Sequence, residues 1–331
     1  MQPLPLVDSY GRRHRSLRLS VTDRCNIRCF YCMPAESLKF LPKSQLLRFE
    51  EIVQIAELLT RFGVDRIRVT GGEPLVRGEI SKLVEMLHAL PGIREIAMTT
   101  NGILLPEHAA SLKAAGLDRL NISLDSLDPV VFQQITRRDF LPQVLQGIDA
   151  ALAAGFPVRL NALAIRNLTE PQIVPLARFA LERQMELRFI EYMPLDFDRQ
   201  WQGQQVLTAE EIRAHLEKEW GPVVPAPRND PAQPAQDFHY ADGKGRLGLI
   251  HSVSQPFCST CDRLRLTAEG QLRNCLFSSD EWDLRELLRS GASAEMLEQR
   301  VRECVASKWA GHQIGSDNYQ YPDKSMHQIG G

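Results

Sequence analysis

Three cysteines near the start of the chain are spaced to bind a metal cluster. Cys25, Cys29 and Cys32 fall within eight residues, shortly after an apolar run that predicts a strand. Three thiolates on one loop can bind three irons of a [4Fe–4S] cluster and leave the fourth iron open to a small molecule. A structural zinc site is the alternative, but zinc takes four closed ligands and no further Cys or His lies nearby in the sequence.

A second set of three cysteines lies in the last third of the chain. Cys258, Cys261 and Cys275 predict a second cluster with an open iron, which a substrate would ligate. Zinc is a more serious alternative here. Cys29 and Cys32 form one Cys-x2-Cys pair and Cys258 and Cys261 form another, and two such pairs are the ligand set of a split zinc ribbon. That arrangement would leave Cys25 and Cys275 unused, whereas two clusters use all six cysteines. The remaining Cys304 is predicted to pack as a small apolar residue.

Several arginines are predicted to lie inside strands, where a buried charge is costly unless it has a negative partner. Arg263 and Arg265 alternate along one strand after the second cysteine pair, so both side chains point to the same side. Two guanidinium groups on one face can bind an anion as a fork. Arg18, Arg68 and Arg159 stand in three other predicted strands. A triphosphate would supply the missing negative partner, and solvated surface arginines are the alternative.

Six strand–helix repeats between residues 16 and 192 are predicted to position these side chains. Short apolar runs alternate with segments whose apolar residues recur every three or four positions, as in amphipathic helices. Such a series indicates a parallel α/β sheet, either doubly wound or curved into a barrel-like arc, with its functional site at the C-terminal ends of the strands. The predicted strands are Leu17–Val21, Arg66–Thr70, Glu95–Thr99, Arg119–Leu124, Val158–Ala164 and Glu186–Tyr192.

Polar motifs follow several of these strands at the edge where function is expected. Gly71–Pro74, with the sequence GGEP, follows the second strand, and Thr99–Gly102, with the sequence TTNG, follows the third. Ser123 ends the fourth strand and Met193 follows the sixth. Glycines at such a place let the backbone approach a ligand closely. Independent surface turns would not all fall at one edge, so the motifs predict one shared site.

The repeat ends after residue 193, and the rest of the chain is predicted to be less regular. Residues 221–237 are rich in proline and polar groups and predict a linker or surface loop. Residues 312–331 are polar and predict a poorly ordered tail. We therefore predict two regions, residues 1–225 and residues 226–331.

The bulk composition is that of an ordinary globular protein. The 331 residues are 44% hydrophobic and 24% charged, with a formal net charge of −2, so charge gives no general reason to bind nucleic acid or a membrane. We expect no membrane span, no signal peptide and a cytoplasmic location. The odd number of cysteines argues against a disulfide framework. The basic stretch from Arg12 to Arg28 is expected to be mostly a solvated surface.

Together these motifs resemble the radical S-adenosylmethionine superfamily and, within it, the GTP 3′,8-cyclase family of molybdenum cofactor biosynthesis. The segments that carry the resemblance are LRLSVTDRCNIRCFYCMP, RVTGGEPL, TTNG, NISLD, RFIEYM, SVSQPFCSTCDRLRL and the terminal Gly330-Gly331. The resemblance implies an α/β fold, an incomplete (β/α)6 TIM-like barrel over residues 1–225. It also implies a C-terminal extension, residues 226–331, that carries the second iron–sulfur cluster, the substrate-binding region and the Gly-Gly tail.

The same resemblance implies a role for each candidate residue. Two [4Fe–4S] clusters would be bound by Cys25, Cys29 and Cys32 and by Cys258, Cys261 and Cys275. S-adenosylmethionine would contact Tyr31, Gly72, Ser123 and Met193. GTP would contact Arg18, Arg68, Thr99, Arg159, Arg263 and Arg265. Among these, the residues expected to be catalytic are Arg18, Arg263 and Arg265.

The implied reaction converts GTP to (8S)-3′,8-cyclo-7,8-dihydroguanosine 5′-triphosphate. An external electron donor starts the cleavage of S-adenosylmethionine, the resulting radical takes hydrogen from C3′ of GTP, and C3′ then bonds to C8. The chain would work as a monomer or homodimer, with a functional link to cyclic pyranopterin monophosphate synthase and with no nucleic acid or membrane partner. Two alternatives stay open, a radical enzyme with a peptide substrate and a zinc-stabilised adaptor that is not an enzyme.

Overall fold

Strands and helices alternate along the computed structural model, which describes residues 4–34, 39–196, 198–228, 230–241, 243, 245–317 and 319–330. The strands are β1 (Ser16–Ser20), β2 (Arg66–Thr70), β3 (Glu95–Thr100), β4 (Arg119–Ser123), β5 (Val158–Ala164), β6 (Glu186–Glu191), β7 (Val223–Pro225), β8 (Gln236–Tyr240), β9 (Arg246–Ile250), β10 (Arg263–Leu266), β11 (Gln271–Arg273) and β12 (Trp282–Asp283). The helices are α1 (Phe49–Arg61), α2 (Ile80–His88), α3 (Leu105–Ala114), α4 (Pro129–Thr136), α5 (Leu141–Ala153), α6 (Ile173–Glu182), α7 (Ala209–Trp220), α8 (Arg285–Arg289), α9 (Ala294–Ala306) and α10 (Met326–Ile329).

The six strands predicted from the sequence are present, and each boundary lies within one residue of its predicted place. Strands β1 to β6 are parallel and pair with one another in the order in which they occur along the chain. A doubly wound sheet reverses its strand order at a switch point. Because the order of these six strands does not reverse, the doubly wound alternative is wrong.

The C-terminal part of the chain extends this sheet at both ends. Strand β10 pairs parallel to β1, and β9 pairs parallel to β6, so the twelve strands form one sheet in the order β12-β11-β10-β1-β2-β3-β4-β5-β6-β9-β8-β7. Strand β7 and the start of β8 lie in the segment predicted to be a linker, so that prediction is wrong in part. Proline is tolerated in β7 because this strand is at the edge of the sheet.

The helices cover the parallel strands with apolar faces. In α1, for example, Ile52, Ile55 and Leu59 recur at helical spacing and are all buried, and the chain then turns at Gly63 with a φ of +94°. Cys304 lies in the same core and is fully buried, as predicted. Within the described ranges, no helix is both long and apolar enough to cross a membrane.

The tail, which was expected to be poorly ordered, is packed against the rest of the protein, and so is Arg12 of the basic stretch, whereas Arg13, Arg15 and Arg24 are exposed as predicted. The tail forms α10, whose Ile329 is fully buried, while the final Gly331 lies outside the described residues. Arg12 is only 6% exposed, because it pairs with Asp8 and donates hydrogen bonds to the backbone carbonyl of Cys258 at 2.8 Å. Asp8 lies only four residues from Arg12, but Cys258 is 246 residues away, and local sequence patterns cannot reveal a contact of that kind.

Candidate active site

One cavity lies at the C-terminal ends of the parallel strands and brings nearly all the predicted site residues together. Its walls come from β1 to β6 and from β9 and β10 of the C-terminal part. It is lined by all six cysteines of the two triplets and by Arg18, Tyr31, Arg68, Gly72, Thr99, Ser123, Met193, Arg263 and Arg265. Arg159 is the one predicted site residue that is absent from this lining.

The first cysteine triplet lies on a loop that the backbone and α4 hold in place. The amide of Cys32 donates to the carbonyl of Cys29 at 3.0 Å, and the amide of Arg28 donates to the carbonyl of Thr136 at 2.9 Å. All three cysteines are free thiols. Burial raises the pKa of Cys25 to about 11, so its thiolate needs a cation beside it. Three free thiols that need positive charge are a suitable donor set for iron.

The GGEP motif packs directly against this loop. The amide of Gly72 donates to the carbonyl of Thr22 at 2.7 Å, and a Cβ atom at Gly72 would lie 2.3 Å from the carbonyl oxygen of Arg24. Glycine is therefore required by close backbone contact and not merely by a turn. The next residue, Glu73, accepts hydrogen bonds from the hydroxyl of Thr100 and from the amide of Asn101, both at 2.7 Å, and burial raises its pKa to about 7.

Two further polar residues of the strand-end motifs face the cysteine loop. The side-chain amide of Asn101 donates to Asn26 Oδ1 at 2.7 Å and lies 3.8 Å from Cys25 Sγ. The hydroxyl of Tyr31 donates to Asp125 Oδ2 at 2.6 Å. The sequence motifs contained both Asn101 and Asp125, but nothing in the sequence singled them out from their neighbours.

Three arginines stand side by side at the same level of adjacent strands. Arg265 on β10 pairs in register with Arg18 on β1, which pairs in register with Arg68 on β2. In the described part of the chain neither Arg18 nor Arg68 has a carboxylate partner. Burial and the repulsion of neighbouring arginines lower the pKa of both well below the ordinary value. Like charges at opposed positions destabilise a sheet, so this arrangement favours binding of an anion.

The second cysteine triplet is next to this arginine row. Cys258 begins a short helical turn before β10, Cys261 directly follows that turn, and Cys275 follows β11. Arg263 Nε donates to Cys261 Sγ at 3.3 Å. Burial raises the pKa of Cys261, but Arg263 and Lys308 lower it more, to about 6. Cys261 is therefore disposed to be a thiolate at neutral pH, as a metal ligand must be.

The geometry of the cysteines does not favour the zinc alternative. Among the described residues, no three side chains of the types His, Cys, Asp and Glu are arranged around a single metal ion. In an iron–sulfur cubane each thiolate binds a different iron, so three cysteines around one cluster need not converge on one point. None of the seven cysteines is in a disulfide.

The tail reaches the same region. A Cβ atom at Gly330 would lie 2.9 Å from Thr70 Cγ2 and 3.1 Å from Ser20 Cβ, so only glycine fits there without a shift of its neighbours. The carbonyl oxygen of Gly330 accepts a hydrogen bond from Arg265. Gly330 is thus held against β1 and β2 beside the arginine row.

Arg188 is a cavity residue that the sequence analysis missed. Arg159 Nη2 pairs with Glu186 Oε2 at 2.6 Å, outside the cavity lining, and its predicted contact with GTP stays a prediction. Arg188 lies on β6, is 4% exposed and lines the cavity, with its Nε paired to Glu186 Oε1 at 2.7 Å. The argument that selected Arg159, a charge inside a strand of a parallel sheet, applies equally to Arg188.

Comparison with known proteins identifies the family. Residues 19–180 match the Radical SAM superfamily and residues 185–314 match Molybdenum Cofactor Synthesis C. The GTP 3′,8-cyclase of Rhodopirellula baltica is 52% identical over 333 residues, which cover 99% of this chain and 93% of that protein. The chain belongs to the GTP 3′,8-cyclase family. GTP 3′,8-cyclase 2 of Mycobacterium tuberculosis is 46% identical, with 99% of this chain and 92% of that protein covered.

The fold of this GTP 3′,8-cyclase family member is also found in a solved structure with bound S-adenosylmethionine. Streptococcus suis SuiB bound to S-adenosylmethionine has a TM-score of 0.57 and 14% identity, and the match covers 90% of this chain and 68% of SuiB. Together with the family match, this likeness shows an α/β radical S-adenosylmethionine fold with a mostly parallel sheet. Membership of the superfamily implies one [4Fe–4S] cluster together with S-adenosylmethionine.

Proposed function

We propose that this protein is a lyase that cyclises GTP to (8S)-3′,8-cyclo-7,8-dihydroguanosine 5′-triphosphate in molybdenum cofactor biosynthesis. The observation that carries the proposal is that the two cysteine triplets and the arginine row line the same cavity. Two triplets of free cysteines line it together with a row of arginines for which the described residues supply no carboxylate partner. The same cavity thus offers sites for iron and for a triphosphate, which is what the reaction of the family requires.

Each cysteine triplet would hold one [4Fe–4S] cluster. Cys25, Cys29 and Cys32 would bind the first, and Cys258, Cys261 and Cys275 the second, since soft thiolate donors suit iron–sulfur clusters. When bound, the first cluster and S-adenosylmethionine supply the 5′-deoxyadenosyl radical that takes hydrogen from GTP. The chain would hold S-adenosylmethionine with Tyr31, Gly72, Ser123 and Met193, all of which line the cavity.

The arginine row would hold the triphosphate of GTP. Arg18, Arg68 and Arg265 present adjacent guanidinium groups, and Arg263 stands on the same strand as Arg265. Charge-assisted bonds from these groups would fix the phosphates and so orient C3′ of the ribose. Of these residues, Arg18, Arg263 and Arg265 would be the catalytic ones. Thr99 lines the same cavity, and Arg159, which pairs with Glu186 outside the cavity lining, remains a candidate contact for GTP.

The sheet would be curved as an incomplete (β/α)6 TIM-like barrel. Residues from eight neighbouring strands line one cavity, whereas a flat sheet of eight strands would be about 34 Å wide. Curvature explains how β10 and β9, at opposite ends of this set, contribute to the same walls. We keep residues 1–225 as the partial barrel and residues 226–331 as the extension with the second cluster and the Gly-Gly tail.

The proposal also includes partners. An external electron donor would reduce the first cluster, and cyclic pyranopterin monophosphate synthase would be functionally linked because it consumes the product. The protein would act as a monomer or homodimer. A cytoplasmic location agrees with the free state of all seven cysteines, since thiols stay reduced in that compartment.

An anaerobic assay tests the proposed function. The reconstituted protein is incubated with GTP, S-adenosylmethionine and dithionite, and the products are separated by liquid chromatography with mass detection. We expect 5′-deoxyadenosine and a cyclised GTP product, with no cyclised product when GTP is left out. Absence of both products from iron-loaded protein would contradict the proposal. Competition for binding by peptides but not by GTP would instead favour the peptide-modifying alternative.

A further inference from the structure

A buried lysine stands behind the second cysteine triplet. Lys308, two residues after the end of α9, is 4% exposed. Its Nζ lies 2.9 Å from the carbonyl oxygen of Arg263, 2.8 Å from that of Asn274 and 3.6 Å from Cys261 Sγ. A lysine ammonium has three N–H donors. The three acceptors therefore use its whole donor capacity.

The negative partner of this lysine is a sulfur atom. Across the described ranges, no carboxylate oxygen lies within salt-bridge distance of Lys308 Nζ. A buried ammonium without a negative partner is strongly unfavourable. Of its three acceptors, two are neutral carbonyls, and only Cys261 can carry a negative charge. The position of Lys308 makes sense if Cys261 is a thiolate, as it would be when it ligates a cluster.

The same lysine connects the two chain segments that carry the triplet. Arg263 begins β10, two residues after Cys261, and Asn274 directly precedes Cys275. Their carbonyl oxygens both accept from Lys308, so the lysine fixes the spacing between the two segments. The ordinary alternative is a buried lysine that only satisfies two carbonyls, and this alternative predicts no effect on the electronic properties of a cluster.

The chain just after Lys308 contacts Cys258, the remaining cysteine of the second triplet. A Cβ atom at Gly311 would lie 3.2 Å from Cys258 Cβ, and Arg12 donates both to the carbonyl of Cys258 at 2.8 Å and to that of Ala310 at 3.0 Å. Residues 308–311 therefore contact Cys261 through Lys308 and lie against Cys258 at Gly311. They also contact the carbonyl of Asn274, the residue directly before Cys275. Lys308 is the member of this segment that touches a cysteine sulfur with a charged group.

We propose that Lys308 is a positioning residue for the second cluster, with its ammonium donating to the Cys261 sulfur and holding the two ligand segments together. This inference rests on the proposed second cluster and adds a residue that neither the cysteine motif nor the arginine fork contains. Hydrogen bonds and positive charge at a ligand sulfur stabilise the reduced, more negative state of a cluster. Loss of the ammonium is therefore expected to lower the reduction potential of the second cluster.

The test isolates the second cluster in the full chain. Cys25, Cys29 and Cys32 are all replaced by alanine, so iron can assemble only at the second triplet, and the potential is measured by redox titration with electron paramagnetic resonance. Lys308→Met is compared with the parent. We expect a lower potential and faster loss of iron to a chelator, with partial recovery in Lys308→Arg, which keeps the charge. Lys113→Met, which removes an exposed lysine that contacts Phe156, should change neither value.

The possible outcomes separate this inference from the proposed function. If Lys308→Met fails to fold, Lys308→Gln, which keeps two donors without the charge, is measured in its place. An unchanged potential and unchanged iron retention in these variants would overturn the role of Lys308 while leaving the second cluster intact. Failure of iron and sulfide to assemble at the second triplet with Lys308 in place would overturn the second cluster itself, and this inference with it.

Discussion

At the scale of single residues, the arginine row places like charges next to one another inside the sheet. Arg265, Arg18 and Arg68 occupy adjacent register positions, and the pKa of Arg18 and Arg68 is lowered by burial and by neighbouring arginines. Elsewhere in the same sheet arginines are paired, as Arg66 is with Asp262 at 2.7 Å. Among the described residues, Arg18 and Arg68 have no carboxylate partner of this kind. The absence of ion pairs is therefore confined to the arginines of the cavity and is not general in the sheet. It is the pattern expected where a ligand supplies the charge.

The unpaired row predicts opposite effects on stability and on binding. Arg68→Met removes a repelled charge and keeps much of the apolar stem, so the thermal unfolding temperature without GTP should rise. The affinity for GTP should fall by roughly ten- to a hundredfold, because a hydrogen bond to a charged group contributes about 1.5–3 kcal/mol. Differential scanning fluorimetry and isothermal titration calorimetry under anaerobic conditions measure the two quantities.

The control for Arg68→Met is an arginine outside the cavity. Arg61 ends α1, is 58% exposed in its side chain and pairs only loosely with Glu57 at 3.6 Å, so Arg61→Met should change little. An Arg68→Met variant that unfolds at a lower temperature and binds GTP as tightly as the parent would contradict the proposed role of the row.

At the scale of elements, the sequence predicted what local patterns encode. The six parallel strands and the motifs at their ends follow from apolar runs and from polar residues just beyond them, which need no knowledge of partners. Strand β7 and helix α10 were missed, because their stability comes from pairing with β8 and from burial of Ile329 against distant parts of the chain. Arg188 was missed, although the sequence carried a signal for it. Like Arg159, it is an arginine inside a strand of the parallel sheet.

Close packing of α5 on the end of β3 gives a prediction at this scale. A Cβ atom at Gly147 of α5 would lie 1.9 Å from the carbonyl oxygen of Gly102, at the end of the TTNG motif. Gly147→Ala must therefore push α5 away from the loop that also carries Asn101, next to Cys25. We expect the free energy of unfolding to fall by about 1–3 kcal/mol, as at other overpacked sites.

Denaturant unfolding of the apoprotein measures this loss, and binding of S-adenosylmethionine to the reconstituted protein reports on the displaced loop. Gly78→Ala is the matched control, because a Cβ atom there has no neighbour within 4 Å. The packing argument would be wrong if Gly147→Ala and Gly78→Ala had equal stability.

At the scale of the whole molecule, the fold explains how two distant cysteine triplets share one cavity. Strand β10 pairs with β1, so the segment that carries Cys258 and Cys261 lies beside the strand that precedes Cys25. The sequence suggested two clusters but could not place them together, since nothing local encodes the pairing of β10 with β1. SuiB has also been solved bound to the precursor peptide SuiA, but the resemblance is one of fold alone at 14% identity, so it gives no support to a peptide substrate here.

A shared cavity with two cysteine triplets predicts that the two halves of the reaction can be separated. Cys25→Ala should abolish formation of 5′-deoxyadenosine, because the cluster proposed to bind S-adenosylmethionine would lose a ligand. Cys275→Ala should keep much of that cleavage but lose the cyclised GTP product, because only the substrate side of the cavity is altered. Both products are quantified from one anaerobic reaction with dithionite.

Cys304→Ala serves as the control for these variants, since Cys304 is buried in the core and does not line the cavity. It should retain both products even if it unfolds at a slightly lower temperature. Equal loss of both products in Cys275→Ala, with the fold intact by circular dichroism, would mean that the second triplet also supports cleavage of S-adenosylmethionine. The two triplets would then act as one unit, and GTP binding could not be assigned to the second alone.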